Sequence, residues 1–481
     1  MDPTFLSAKR LASLVRRGDI GCVELLDHYI ARVERHDGRI NAVVVRDFER
    51  ARKRARTLDR RRKQGARGPL LGVPMTIKES FDIAGLPTTW GVPAQKDVIA
   101  THNALAVDRL LDAGVVLFGK TNVPLLLADW QSYNAIYGTT NNPWDLALSP
   151  GGSSGGAAAA LAAGLTGIEA GSDIGSSIRN PAHYCGVYGH KPTWGICPPL
   201  GHSLNGNVAQ SDISVIGPLA RSADDLAVAL DVMAGPEPIE TGWRLNLPPP
   251  RQAAFKGLRV AVMTDHPLSE VDASITGRLD ELATFLRRQG AKVSLTARPD
   301  FDLAEGHRLF IELLRATTSG RTDAAGMQHW RNEAARLPNG DDSYYAMMAR
   351  GISMTHRDFI IGNETRQRMR RAWAAFFQDW DVFLCPAAAS PAVPHDHAGE
   401  RWERTIPLNG HRVPATDQMF WAGISGFYLL PATVAPLGFA PSGLPVGVQI
   451  VGPQYGDRGT IQLARLLEKA WQGFVPPSGW D

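Results

Sequence analysis

GGSSGG at residues 151–156, the alanine run behind it and GSDIGSSIRNP at residues 171–181 form the stretch that decides how this chain folds. Glycines on both sides of Ser153 and Ser154 let the backbone turn tightly and approach other segments closely. The alanines that follow start a helix that packs without side-chain bulk. Two hydroxyls are thereby presented at a helix start. The second cluster repeats the arrangement around Ser176 and Ser177, with consecutive backbone N–H groups free to point at an anion, which is what an oxyanion hole requires. Such Gly/Ser-rich sequence could be a flexible linker, but linkers do not carry close-packing surfaces, and the alanine helix is one.

GGSSGG also satisfies the G-x-S-x-G pattern of a nucleophile elbow around Ser153. An elbow needs a strand immediately before its serine. Here TTNNPWDLALSP, residues 139–150, precedes it with turn formers and two prolines, so the α/β-hydrolase reading fits poorly.

Upstream, GVPMTIKES at residues 72–80 alternates as a strand, with Val73, Met75 and Ile77 on one face and Thr76 and Lys78 on the other. A helix is predicted over 104–111 and a strand over 115–118, closed by Gly119. Two amphipathic helices open the chain, marked by Leu11, Leu14 and Val15 and then by Cys22 to Val33. Downstream, a strand at 258–262, a helix around 275–288 and a strand at 293–295 read as a βαβ-like passage, a second unit beginning near Phe255. Residues 303–380 read as helical and polar, with strands returning at 382–384 and 446–451. Alternating helix and strand argues for an α/β sheet.

The chain has 481 residues, 44% hydrophobic, with a net charge of +3, so a sizeable core is expected. Residues 46–67 hold eleven Lys and Arg against three acids. Phe48, Ala51, Ala55 and Leu58 recur there at helical spacing, which makes the run the solvated face of an amphipathic helix. Without interleaved aromatic residues it does not read as a nucleic-acid or membrane surface. No stretch is long and apolar enough to span a bilayer, the first residues lack a signal-like apolar region, and four unpaired-looking cysteines suit a reducing compartment. A cytoplasmic protein is expected.

Taken in order, GVPMTIKES, GKTNVP (119–124), NNPWDL (141–146), GGSSGG, DIGSSIRNPA (173–182), CGVYGHKPTWG (from Cys185) and GLPVGVQIVGP (from Gly443) resemble the amidase signature family. The resemblance covers nearly the whole chain apart from about 237–382. It implies a single domain over 1–481: an α/β fold with a large mixed, mostly central β-sheet flanked by helices on both faces. The signature core is placed at 72–220 and a variable, substrate-shaping segment at 237–382. It further implies Ser177 as nucleophile, Ser153 as bridging hydroxyl and Lys78 as base. Backbone N–H groups of Ile174, Gly175, Ser176 and Ser177 would form the oxyanion cradle, with Ser154, Asp173 and Arg179 in support. Asp173 and Arg179 would fix the loop, an ordinary ion pair being the alternative. Trp130, Gln131, Ser132 and Tyr133 would line the substrate pocket, with Phe420, Trp421, Phe427 and Tyr428 as the facing wall.

A serine hydroxyl is a poor nucleophile until a base takes its proton, and a lysine is a base only when neutral. Its ordinary pKa of about 10.4 must fall by burial. The sequence departs from the family in Ser176, where glycine is usual, and in Leu125, where a glutamate commonly follows the proline. His183, Cys185, His190, Cys197 and His202 match no metal-ligand spacing, so no metal or cofactor is expected. The expected activity is a serine amidohydrolase acting on acyl or aryl amides, with carbamates and esters also accessible, as a monomer or homodimer binding a small-molecule substrate. The alternative is the amidase subunit of a transamidating complex. An aromatic pocket would favour the former, since a glutamine pocket should offer charged groups.

Overall fold

The computed structural model describes residues 2–204, 206–338 and 340–480. Helices α1 (Ala8–Arg17) and α2 (Cys22–Ile40) open the chain, followed by strand β1 (Val43–Arg46), the basic helix α3 (Phe48–Lys63), strand β2 (Pro74–Lys78), helix α4 (Leu105–Asp112) and strand β3 (Val116–Thr121). Ser7 caps α1 by accepting from Arg10 N, and Gly18 ends it in the left-handed region. β3 does not stop at Gly119 as expected from sequence. Its partner β1 passes so close that a Cβ on Gly119 would lie 2.6 Å from Val45 O, and glycine there permits a close approach where a turn was expected.

The short strands β4 (Tyr133–Asn134) and β5 (Gly138–Thr139) come next, then the alanine helix α5 (Gly155–Ala162), β6 (Glu169–Asp173), α6 (Arg179–Cys185), β7 (Tyr188–Lys191), β8 (Val215–Ala220) and α7 (Ala223–Met233). The later half supplies β9 (Arg259–Val262), α8 (Ala273–Arg288), β10 (Lys292–Ser294), α9 (Leu303–Thr318), α10 (Ala324–Arg336), α11 (Tyr344–Ile352), α12 (His356–Asp379), β11 (Val382–Pro386), β12 (Thr405–Leu408), β13 (His411–Pro414), α13 (Met419–Gly426), β14 (Ala432–Phe439), β15 (Pro445–Val451) and α14 (Asp457–Ala470).

One mixed sheet runs β10-β9-β11-β15-β14-β7-β8-β6. The βαβ passage beginning near Phe255 therefore extends the same sheet, with β10 and β11 both parallel to β9. Helices cover both faces. On β14, Thr433 bonds Thr460 of α14, while the next residue, Val434, packs with Ile178 and Ala182 beside α6, and neighbouring strand residues face opposite sides. A second sheet of order β1-β3-β2 meets the edge strand β6 through a parallel bridge from Met75 to Ile168 and a bond from Thr76 N to Thr166 Oγ1 at 2.9 Å.

All of α5 is buried, as the alanine run requires. Among the described residues no helix is long and apolar enough to cross a membrane.

Candidate active site

The seam between the two sheets is where the predicted residues meet. Lys78, at the end of β2, is fully buried and donates to Ser153 Oγ at 2.7 Å, Ser172 Oγ at 2.9 Å and Ser154 Oγ at 3.0 Å. Ser153 and Ser154 sit just before α5, after a cis peptide bond between Gly152 and Ser153, and Ser172 comes from β6. The packing is close enough to need glycine: a Cβ on Gly171 would lie 2.6 Å from Ser154 Oγ. Ser154 N donates to Ser177 O at 3.1 Å, joining the two serine clusters. Ser177 is 5% exposed, and its hydroxyl has no hydrogen-bond partner among the described residues.

Burial pulls the Lys78 ammonium down to about 7, opposed by the negative charge of Asp173. Lys120 and Lys191 are equally buried and are lowered to about 8 and about 7. Their neighbours differ. Lys191 donates to Pro192 O at 3.1 Å, and Lys120 to Pro87 O and to Thr88 Oγ1. Only the Lys78 ammonium is bonded to hydroxyls alone, and a hydroxyl can donate back to a neutral amine whereas a carbonyl cannot.

Asp173 ties the following loop. Its Oδ1 accepts from Ser176 N at 2.9 Å and Arg179 Nη2 at 2.8 Å, and its Oδ2 from Ile178 N at 3.1 Å, Arg179 N at 3.3 Å and Arg179 Nε at 2.9 Å. Arg179 Nη1 continues to Ala422 O, Ser425 Oγ and Gln449 Oε1. This buried pair is more than an ordinary ion pair, and the Coulomb pull of Arg179 and its hydrogen bonds outweigh desolvation to hold the Asp173 carboxyl below its ordinary value. Of the four N–H groups expected to form the cradle, that of Ser176 donates to Asp173, and those of Ile174, Gly175 and Ser177 have no bond partner among the described residues. Ser176 also has φ +77° and a buried hydroxyl without a partner, so it occupies backbone space suited to glycine.

The amidase family model matches residues 24–461. The chain belongs to the amidase signature family. It is an amidase, a hydrolase of amide C–N bonds. It is 33% identical to the acylamidase of Rhodococcus erythropolis, over 98% of this chain and 97% of the relative. It is likewise 33% identical to a glutamyl-tRNA(Gln) amidotransferase subunit from Deinococcus deserti, over 96% of each. The solved structure of a bacterial aryl acylamidase superposes with a TM-score of 0.81 at 25% identity, covering 98% of this chain and 97% of that one.

In this amidase Ser177, Ser153 and Ser172 open onto a cavity of about 780 Å³. Of the four residues expected to line it, Trp130 and Gln131 do. Trp130 Nε1 donates to Gly175 O at 2.7 Å, bracing the cradle. Ser132 and Tyr133 do not. Ser132 Oγ donates to Gly151 O and accepts from Gly155 N, holding the GGSSGG turn, and Tyr133 stacks on His397 outside the cavity. The facing wall is also corrected. Phe420, Trp421, Phe427 and Tyr428 are core residues, packed against Phe310, Trp373 and each other. The wall is instead made by Met419, Tyr184, Trp90 and residues of α9 and of the 393–407 segment.

The histidines have partners of their own. His183 bonds Gly447 and Ser390, and His202 bonds Ser80. His190 lies between Thr433 Oγ1 and Asp457 Oδ1 at 2.9 and 3.1 Å, a triad-like arrangement that is buried and lines no part of the cavity. Among the described residues no cluster of His, Cys, Asp and Glu could hold a metal ion. Sequence reading missed Ser172, the third hydroxyl on Lys78; the available signal was its place in GSD, five residues before Ser177. It also missed Glu169, whose fully buried carboxyl is pushed up to about 8 by desolvation and accepts from Thr76 Oγ1.

Proposed function

We propose that the protein is a stand-alone serine amidohydrolase working through an acyl-enzyme on Ser177, with Ser153 and Lys78 as its proton relay. The observation that carries this is the set of three serine hydroxyls around one fully buried lysine, with no carboxylate bonded to it among the described residues, beside Ser177, which lines the cavity and has no bond partner among them.

In the proposed cycle neutral Lys78 accepts a proton through Ser153 as Ser177 Oγ attacks the amide carbonyl. The N–H groups of Ile174, Gly175 and Ser177 receive the developing oxyanion, each donor of that kind contributing about a hundredfold or more to the rate. Ser153 then returns the proton to the departing nitrogen. Water, deprotonated along the same route, releases the acid. The same tetrahedral chemistry extends to carbamates and esters, so the reading covers acyl and aryl amides first and urethanes second.

Identity to the acylamidase and to the amidotransferase subunit is equal, and the aromatic wall does not separate them, because five arginines and two aspartates stand in the cavity beside Trp90 and Trp130. The amidase-subunit reading therefore keeps a specific observation in its favour. The test is product release from a matched aryl anilide and N-aryl carbamate, beside ammonia release from glutamine, by the purified chain and by Ser177→Ala. Anilide turnover that vanishes in the variant supports the stand-alone hydrolase. Silence on both aryl substrates with release from glutamine supports the subunit reading.

A further inference from the structure

Four guanidiniums line the cavity without a carboxylate partner among the described residues. Arg412 is exposed and bonded to Thr405 Oγ1 and O, and the other three are Arg315, Arg401 and Arg321. Arg315, on α9, is bonded to Tyr344 Oη, and its Nε is buried with no acceptor. Arg401 donates through Nη1 to Ala128 O at 2.7 Å, and its Nε is likewise buried and unbonded. Arg321, at the more exposed mouth, reaches only Leu126 O at 3.3 Å. By contrast, Arg404 in the same wall is paired with Asp129 at 2.7 Å. The other buried Nε atoms without partners belong to guanidiniums already tied to carboxylates, as in Arg62 and Arg465, or to several oxygens, as in Arg221.

Each of the three also lies over an aromatic ring: Arg315 over Tyr344 at 5.4 Å, Arg401 over Trp402 at 5.8 Å and Arg321 over Trp90 at 4.8 Å. Stacking fixes the plane of a guanidinium and leaves its edge donors free. Burial lowers Arg401, the nearby charge of Arg315 lowers it further, and Tyr344, Asp129 and Glu400 offset this only in part. Two neighbouring, partly buried cations whose Nε donors are unbonded are costly unless an anion offsets their charge.

We propose that the cavity selects amides bearing a second, anionic group, a carboxylate received by Arg315 and Arg401, with Arg321 guarding the mouth. This rests on the serine-hydrolase reading for the scissile end and deepens it by naming the substrate class. A net anion suits the site better than a zwitterion such as glutamine. Asp129 is already paired, and Asp396 accepts from Ala398 N within its own turn.

The test uses Ser177→Ala protein, so that binding is measured without turnover. Calorimetry compares succinyl, glutaryl and adipyl 4-nitroanilides, each as free acid and as methyl ester, because the span from Ser177 to the arginines selects the chain length. At least one acid should bind about tenfold or more tighter than its ester, the range expected of charge-assisted hydrogen bonds. Arg401→Met and Arg315→Met should each bring that ratio toward one, while Arg401→Lys should retain part of it. The proposal is overturned if every ester binds as well as its acid, if no acid binds, or if the preference survives both methionine substitutions. Turnover by the unmodified enzyme is scored separately. Absence of anilide cleavage alongside a persistent acid preference would strike the catalytic reading and leave this one standing.

Discussion

Around Ser177 the chain satisfies itself, whereas across the cavity it does not. From residue 150 to 182 the buried polar side-chain atoms are bonded apart from Glu169 Oε2, Ser176 Oγ and Asn180 Nδ2, and Asp173 alone accepts five hydrogen bonds. On the opposite wall Arg315 and Arg401 hold buried donors open. On the proposed reading, the reacting groups are positioned before substrate arrives, while the recognising groups are completed by the ligand. Preorganised dipoles lower a barrier without rearranging, and incomplete ones discriminate between ligands.

The sharpest way to break the comparison is at the self-satisfied side. Ser177→Ala should lower kcat by about a millionfold, as removal of a serine nucleophile does, with circular dichroism unchanged. A residual rate within a hundredfold of the unmodified enzyme would remove Ser177 from the chemistry. Asp173→Asn leaves the buried Arg179 uncompensated and should destabilise the fold by about 3–5 kcal/mol, read from denaturant midpoints. A loss under 1 kcal/mol would mean that the loop is held by other contacts.

The relay can be sharpened by pH. Lys78 is lowered to about 7 and works only when neutral, so kcat/KM should rise with pH and level off above about 7, with a slope of about tenfold per unit below it. The same shift makes this group's contribution to stability grow between about 7 and its ordinary 10.5, since the unfolded chain binds the extra proton there. Glu169, raised from 4.5 to about 8, acts in the opposite sense, its contribution falling as pH climbs through that interval. A flat profile between pH 6 and 8 (roughly one unit either side of the value a Lys base would show) would sink the assignment of Lys78.

The smallest expected effect is at the one misfit in the ordered wall. Ser176→Gly relieves a left-handed backbone position and an unbonded hydroxyl, and should raise stability by about 1 kcal/mol, measured as a higher melting temperature. A loss would show that the hydroxyl has a partner in solution.

The ordered wall was legible because its segments carry the motifs that resemble the amidase signature family, and the resemblance implied their roles. Ser153 and Ser177 lie 24 residues apart, and Lys78 ends a strand whose alternation sets the face it lies on. The alanine helix and the βαβ passage near Phe255 were readable from the local sequence. The other wall was not, because α9, the start of α11 and the 393–407 segment meet only in the folded chain. In sequence Arg315 and Arg401 look like ordinary surface charges among many. Ser132 and Tyr133 were expected in the cavity from the family resemblance of the segment after GKTNVP, but Ser132 is taken up by the turn at Gly151 and Gly155, and Phe420 and Trp421 turn into the core.

The lysine and Ser172 come from different sheets, joined at the edge of β6 by the bridge from Met75 to Ile168, while Ser153 and Ser154 stand at the start of α5. Turnover is therefore a gauge of how well the two sheets are docked. A mutation, solvent or immobilising support that parts them by an ångström would silence the enzyme while its helices and strands stay intact, so inactivation on storage or heating should run ahead of any spectroscopic sign of unfolding.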